Sequence, residues 1–491
     1  MVELTIFALG ILLIDLWVPR EWKWINALGA FVGVLFAALC TWQIQTALPP
    51  RGLVGFYNSL LVDRFAIYFW YLFLAGAAIS ILMSVHYLDV EDEHHGEYYS
   101  LLLLSVVGMM CMAAGIDIVL LFIGLELMAI SIYILVGFLR RDRRSNEAAL
   151  KYLLLGAFSS GIFAYGLSLL YGLAGSTNLG TIQRAVASIS ARDPHNPILV
   201  IALLTVTVGL LFKIAAVPFH QWAPDAYEGA PTSITGFMSV AVKAAAWALL
   251  LRILIYGLLP LRSLYTPIMV FVAIATMTGG NLAALTQTNT KRLLAYSSIA
   301  HVGYMLLAFV AMGTSPIGSP AFADGFKGIL IYLMVYTFMN LGVFAVITSL
   351  RHRNVIGDEL DDMAGLYSRA PVEAVLMLLF LLSLAGIPPA AGFLGKYYIF
   401  LSLIESGHYW LASAAVLYAL FGLYYYLRMA NVMLMRAPAE TGKMPVSIGM
   451  RFALGLTALM TIVIGIFPEP FIHTVNWSLG IASPHVAAMV R

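Results

Sequence analysis

Charge is scarce in this chain. Only 11% of its 491 residues are Asp, Glu, Lys or Arg, while 61% are apolar; soluble domains carry about 25% charged and 45–50% apolar residues. With a mean hydropathy of +0.90, that deficit excludes an ordinary soluble fold and leaves the membrane class. An excess of either sign is lacking too, since 27 Lys and Arg face 25 Asp and Glu, so no basic surface for nucleic acid is expected. Two cysteines, Cys40 and Cys111, are all the chain has. Both sit in apolar runs and read as small buried hydrophobes, not as a disulfide framework or metal cluster. The apolar start, MVELTIFALGILLIDLW, has no basic leader and no small-residue cleavage site. It is read as a retained first span.

Apolar runs are plentiful. A membrane helix needs about 20 mostly apolar residues, and such runs follow one another near residues 2–19, 27–46, 63–87, 98–116, 117–139, 148–174, 195–217, 232–258, 264–286, 292–313, 325–350, 371–402 with a break, 408–430 and 448–468. The expected fold is an all-α polytopic membrane protein of about fourteen helices. A barrel is excluded because the runs are continuous rather than alternating. The gap near Gly115 is very short, and the tail FIHTVNWSLGIASPHVAAMVR either lies along the surface or adds a partial span.

Charge bias orients the chain. Loops on one side hold Arg20, Lys23, Arg140, Arg141, Arg143, Arg144, Lys291, Arg292, Arg351, Arg353, Arg369, Arg428, Arg436, Lys443 and Arg451. Those opposite hold chiefly Arg51, Arg64, Arg184, Arg192 and Arg262. Basic loops stay cytoplasmic, so both termini are expected outside a bacterial plasma membrane. The acidic stretch from Asp89 to Glu97 falls on the cytoplasmic side, where acidic residues carry little weight.

A faint repeat links GLLFKIAAVPFHQW with LLSLAGIPPAAGFLGK. Each runs an apolar helix into small residues and proline beside a lysine, Lys213 before Pro218 and Lys396 after Pro388 and Pro389. Paired proline-interrupted spans point to a transport site. Charges at membrane depth add to that reading, because a central Asp, Lys or Arg costs about 2.5–3.5 kcal/mol. Glu126 lies mid-span and is too short to snorkel, so it needs a partner or a hydrated cavity. Lys213 sits five residues before a proline that frees a helical carbonyl. Lys243 lies midway through its span among alanines. His220, just past the Pro218 break, and His301, beside Ser297, Ser298 and Tyr304, suit proton exchange. Lys396 follows the second break as a terminal exchange site. The bland alternatives are structural pairing for Glu126 and Lys243, snorkelling for Lys213, satisfied core histidines, and an interfacial anchor for Lys396. Lys151 and Arg144 read as anchors; Asp15, Asp117, Arg252, Lys327 and Glu405 carry no assigned role.

The segments LLFIGLELMAISIYILVGF, LKYLLLGAFSSGIFAYG, FKIAAVPFHQWAPDAYEGAPTSITGFMSVAVKAA, KRLLAYSSIAHVGYMLL, DMAGLYSR and LLSLAGIPPAAGFLGKYYIF, between about residues 100 and 430, resemble the antiporter-like membrane subunits of respiratory complex I. WAPDAYEGAP favours the subunit N type. The resemblance implies two inverted five-helix repeats, 98–258 and 264–430, each with a discontinuous helix, between an N-terminal segment 1–97 and a C-terminal helix and tail 431–491. It implies a proton route in which Glu126 pairs with Lys213, Lys243 continues through the membrane plane, His301 lies on the connecting axis and Lys396 exchanges near the far end. It also implies that no redox cofactor sits in this chain: NAD, FMN, iron-sulfur clusters and quinone belong to partner subunits. The expected partners are other membrane subunits, further antiporter-like ones among them, the peripheral redox arm indirectly, and lipids. A subunit of a multi-subunit cation/proton antiporter is the alternative; a stand-alone transporter or a membrane scaffold explains the buried charges less well.

Overall fold

The computed structural model describes residues 1–351, 357–437 and 447–479. Arg353, Lys443 and the tail beyond residue 479 lie outside the described residues.

The chain folds as a helical bundle. Helices α1 (Val2–Asp15) and α2 (Trp24–Thr46) precede a short hairpin, β1 (Leu53–Gly55) and β2 (Leu60–Val62), then α3 (Arg64–Glu91). Next come α4 (Gly96–Ala114), α5 (Ile118–Val136), α6 (Arg143–Ala174), α7 (Leu179–Arg192), α8 (Pro197–Lys213), α9 (Trp222–Gly229) and α10 (Thr232–Gly257). A second series holds α11 (Arg262–Leu285), α12 (Thr290–Thr314), α13 (Pro320–Leu350), α14 (Pro371–Ala385), α15 (Ala391–Glu405) and α16 (Tyr409–Met435), followed by α17 (Ile448–Ile466) and α18 (Glu469–Ser478). Among the described residues, 11 helices are long and apolar enough to cross a membrane. The three other expected spans are shorter for visible reasons: α1 stops at Asp15, and α8 and α14 end at the two proline breaks. The segment after α6, which the sequence reading left as a loop, contains α7, whose Leu179, Ile182 and Val186 bury one face at helical spacing.

Starts are set by side chains that satisfy orphan amides. Asp63 accepts from Ala66 N at 2.8 Å, Asp142 from Arg144 N at 2.9 Å and Asn289 from Arg292 N at 3.0 Å. The short turn at Gly115 is held by Ile116 N donating to the Ser59 carbonyl at 3.0 Å and Ile118 N to that of Thr177 at 2.9 Å.

Two interruptions occupy matching places, the fourth crossing in each series of five. At the first, α8 ends with Lys213, Ala215 turns into the left-handed region at φ 59°, and a cis Val217–Pro218 bond leads to α9. At the second, α14 ends with Ala385, Gly386 turns at φ 85°, and a cis Pro388–Pro389 bond leads to α15. Five crossings are an odd number, so the second series runs through the layer in the opposite sense to the first. The groups freed at the breaks find partners: the Trp222 indole donates to the Phe212 carbonyl at 2.9 Å, Val217 N to Thr276 Oγ1 at 3.0 Å and Gly392 N to Ser383 Oγ at 3.0 Å.

The core lies where the two series meet. Through their apolar stretches α10 and α13 are 100% buried and α12 is 94% buried, whereas α2, α6 and α17 bury 39% and α16 only 33%, leaving their outer faces to lipid. One end of the bundle gathers the loops after α3, α5, α9, α11 and α13. Arg351 pairs with Glu91 at 2.5 Å, Lys291 with Asp358 at 3.2 Å, and Arg292 with Asp225 at 2.7 Å and Glu228 at 2.9 Å. At the other end Arg252 pairs with Asp63 at 2.6 Å.

Candidate functional site

The deepest polar groups line up through the inner helices. Lys213, Lys243, Lys396 and His301 are all buried, at 5%, 4%, 6% and 3% exposure. Bare burial of four ionisable groups is unfavourable unless each finds polar partners, and the structure supplies them.

Lys213, in the last turn of α8, points its ammonium at Tyr133 of α5, donating to the hydroxyl at 3.4 Å and lying 5.8 Å from the ring centre. Glu126, two turns earlier on α5, is close enough for its charge to act on both Lys213 and Tyr133. No ion pair closes between Glu126 and Lys213. The tyrosine hydroxyl occupies the lysine instead, and Glu126 Oε1 is buried with no hydrogen-bond partner. Gly156 on α6 makes room for that hydroxyl, since a Cβ there would lie 2.0 Å from it.

Lys243 sits just after a π-helical stretch, Met238–Val242, inside α10. Such wide turns expose backbone groups and recur at functional positions. Ser239 in the stretch accepts from the buried Asn340 amide at 2.6 Å. The Lys243 ammonium crosses to α12, donating to the Ser298 carbonyl at 3.1 Å and also to its hydroxyl. The hydroxyls of Tyr227 and Tyr336 approach the same serine, Tyr336 without completing a hydrogen bond.

His301 lies one turn beyond Ser298. Its Nδ1 meets the Tyr332 hydroxyl at 2.5 Å and its Nε2 the Tyr426 hydroxyl at 3.0 Å; Tyr426 also bonds Ser297. The imidazole is close enough to both Lys243 and Lys396 to feel their charges. Lys396, in the first turns of α15, folds back across the second break and donates to the last carbonyls of α14, Leu384 at 3.3 Å and Ala385 at 2.6 Å. A cation there meets the negative end of a helix dipole. The same ammonium lies 5.4 Å from the Tyr304 ring centre, and Tyr304 lies 6.2 Å from the His301 ring.

Five of the six residues singled out in the sequence therefore fall into two clusters, Glu126 with Lys213 and Lys243 with His301 and Lys396. A buried aromatic stack spans them: Tyr133 packs on Tyr152 at 4.6 Å, Tyr152 lies flat on Trp222 at 4.4 Å, and Trp222 meets Tyr227 at 6.4 Å. His220 stands apart at the first break, half-buried, with Nδ1 unpartnered. Charges that had no assigned role are mostly paired: Asp15 with Lys23 at 2.7 Å, Lys327 with Asp324 at 2.8 Å, and Asp117 capping α5 through Val119 N at 2.8 Å. Lys151 pairs with Glu147 at 2.8 Å and Asp225 at 3.0 Å. Burial alone would raise the Asp225 carboxyl, but hydrogen bonds from Arg292 and Lys151 outweigh it and hold it below the ordinary carboxylate value.

Residues 115–422 match the family described as NADH:quinone oxidoreductase/Mrp antiporter, TM. Over 489 residues, 98% of this chain and 94% of the relative, the chain is 62% identical to NADH-quinone oxidoreductase subunit N 1 of Koribacter versatilis. The chain belongs to the NADH-quinone oxidoreductase subunit N family. Subunit N 2 of Solibacter usitatus is 52% identical over 97% of this chain and 96% of its own length. Among solved structures, a chain of respiratory complex I from Thermus thermophilus with bound aureothin matches with a TM-score of 0.79 at 30% identity, covering 96% of this chain and 98% of that one. A chain of the Mrp complex from Dietzia shares the fold, with a TM-score of 0.80 at 18% identity over the full length of both. Relatedness to subunit N, carried by sequence identity, thus decides against the cation/proton antiporter alternative as this chain's family.

Reading this subunit N sequence alone misses the hydroxyls. Tyr133, Tyr332 and Tyr426 contact the buried lysine and histidine, yet they are three among 25 tyrosines. Ser298 as the Lys243 acceptor had a signal in its spacing, three residues before His301 on one helix.

Proposed function

We propose that the chain is a proton-translocating membrane subunit of NADH:quinone oxidoreductase. In this reading protons pass along Glu126, Lys213, Lys243, His301 and Lys396, while NADH oxidation and quinone reduction, with their NAD, FMN, iron-sulfur and quinone components, belong to partner subunits. His220 at the first break is an accessory exchange group. One observation carries the reading: His301, with tyrosine hydroxyls on both ring nitrogens, sits within electrostatic reach of Lys243 on one side and Lys396 on the other.

A buried lysine keeps its proton only while acceptors or a nearby carboxylate compensate for lost water. Lys213 has both kinds of group beside it, a hydroxyl in contact and a carboxylate further off. Moving Glu126 toward or away from Lys213 changes the lysine's hold on its proton, which is how a distant conformational change can drive uptake on one side and release on the other. The units 98–258 and 264–430 then act as two half-paths, flanked by 1–97 and 431–491. Both termini face outward and the basic loop end faces the cytoplasm, in keeping with the charge bias. Neighbouring membrane subunits, antiporter-like ones among them, pack along the lipid-facing helices.

The test uses the assembled complex in closed vesicles. Lys213→Ala and Lys243→Ala are each expected to cut proton pumping and the coupled quinone reductase rate several-fold, and Glu126→Gln to weaken the same step. Parental proton-to-quinone stoichiometry and rate in complexes assembled with Lys243→Ala would end the proposal.

A further inference from the structure

A polar cavity of about 450 Å³ opens at the end of the bundle where the loops gather. Its walls come from five separate connections, among them Glu91, Arg141, Glu228, Ala230 and Arg351. At its floor Lys291 and Asp358, 3% and 5% exposed, pair at 3.2 Å. Lys291 also donates to the Ala230 carbonyl at 3.0 Å, and Asp358 Oδ1 is buried without a hydrogen-bond partner. A carboxylate oxygen left bare at the bottom of a polar, roomy cavity is a site for water or a proton.

The floor is also the foot of a ladder. Lys291 and Ser298 are seven residues apart on α12, which puts them on one face about 10 Å apart along the axis. Tyr227, one residue before the cavity-lining Glu228, is fully buried and brings its hydroxyl toward Ser298, whose own hydroxyl receives the Lys243 ammonium. We propose that this cavity is the port through which protons from the loop-bearing side enter the buried row at Lys243, with the Lys291–Asp358 pair as its gate and Tyr227 and Ser298 as the hydroxyls between. Opening the pair frees Asp358 to take a proton from the cavity; handing it on to Tyr227 and Ser298 returns the carboxylate to Lys291. The inference rests on the proton-translocating reading above.

The test is made in the assembled complex in vesicles, with Lys243→Ala as the reference. Asp358→Asn and Tyr227→Phe are expected to lower pumping several-fold, as Lys243→Ala does. If Lys243→Ala blocks pumping while Asp358→Asn and Tyr227→Phe assemble and pump at the parental rate, the port is elsewhere and the wider reading survives; parental pumping by Lys243→Ala overturns both. Because Asp358→Asn removes half of a buried ion pair and can prevent assembly, a second arm leaves the pair intact. Arg141→Cys, at an exposed position on the cavity wall, is introduced into a complex lacking Cys40 and Cys111 and treated in inverted vesicles with a membrane-impermeant charged maleimide. Labelling should cut pumping several-fold in a variant that pumps normally beforehand. A thiol at 141 that refuses the reagent, or takes it without loss of pumping, overturns the proposal.

Discussion

Tyr133 separates a carboxylate from an amine that would otherwise meet. Its hydroxyl receives Lys213 at 3.4 Å, and Gly156 is the reason it can stand there, because an added methyl would fall 2.0 Å from it. Two substitutions isolate that contact. Tyr133→Phe deletes the hydroxyl and keeps the ring on Tyr152, so assembly should be parental while pumping falls several-fold. Gly156→Ala keeps the hydroxyl but pushes it aside, at an overpacking cost of about 1–3 kcal/mol, and should lower pumping in the same direction. Proton stoichiometry measured against quinone turnover checks both. Normal pumping in Tyr133→Phe would mean that Glu126 governs Lys213 without this residue. Ionisable groups were legible in the sequence because a charge in an apolar run is conspicuous. The hydroxyls that partner them were not, because tyrosine is at home in such runs whether or not it touches a lysine.

The two broken helices look alike in sequence and differ in how the lysine is used. Lys213 lies ahead of its break and faces another helix, whereas Lys396 lies beyond its break and reaches back to close the carbonyl end of the preceding segment. Both breaks need one left-handed residue, Ala215 at φ 59° and Gly386 at φ 85°. At Gly386 a Cβ would also come within 2.7 Å of Lys396 Cδ. Gly386→Ala should therefore cost at least the roughly 1–2 kcal/mol of a left-handed residue with a Cβ, and it should dislodge Lys396, lowering both the thermal inactivation midpoint and pumping. Ala215→Gly relieves the same strain but brings glycine's own entropic cost of roughly 0.5–1 kcal/mol, so it should be close to neutral. Inactivation curves of the two purified complexes compare them, and equal behaviour would contradict the account. Prolines announced both breaks in the sequence. Helix α7 went unannounced: its Leu179, Ile182 and Val186 are spread through a polar stretch too short and too mixed to read as a span.

At the scale of the molecule, the continuous apolar runs were enough to read a helical bundle, but not which of its polar residues meet across it. Arg252 illustrates this. It lies at the end of α10 opposite the loop cavity, almost fully buried, and pairs at 2.6 Å with Asp63, a residue 189 positions away that also caps α3. Its Nε donates to the Ala113 carbonyl at 2.8 Å, and its guanidinium lies 4.7 Å from the Phe65 ring centre. One side chain thus ties α3, α4 and α10 together, and neither its position in an apolar run nor local spacing could name the partner. Asp63→Ala strands the guanidinium in the interior, a loss of about 3–5 kcal/mol for breaking a buried pair from one side. Replacing both members, as Asp63→Ala with Arg252→Met, removes the stranded charge and should recover much of that loss. Because the pair is remote from Lys213, Lys243 and Lys396, the proton-to-quinone ratio of whatever complex assembles should stay parental in every variant, while the detergent lifetime at elevated temperature falls for the single substitution and rises again for the double. A double variant no more stable than Asp63→Ala alone would show that the carboxylate acts through the α3 cap and not through Arg252.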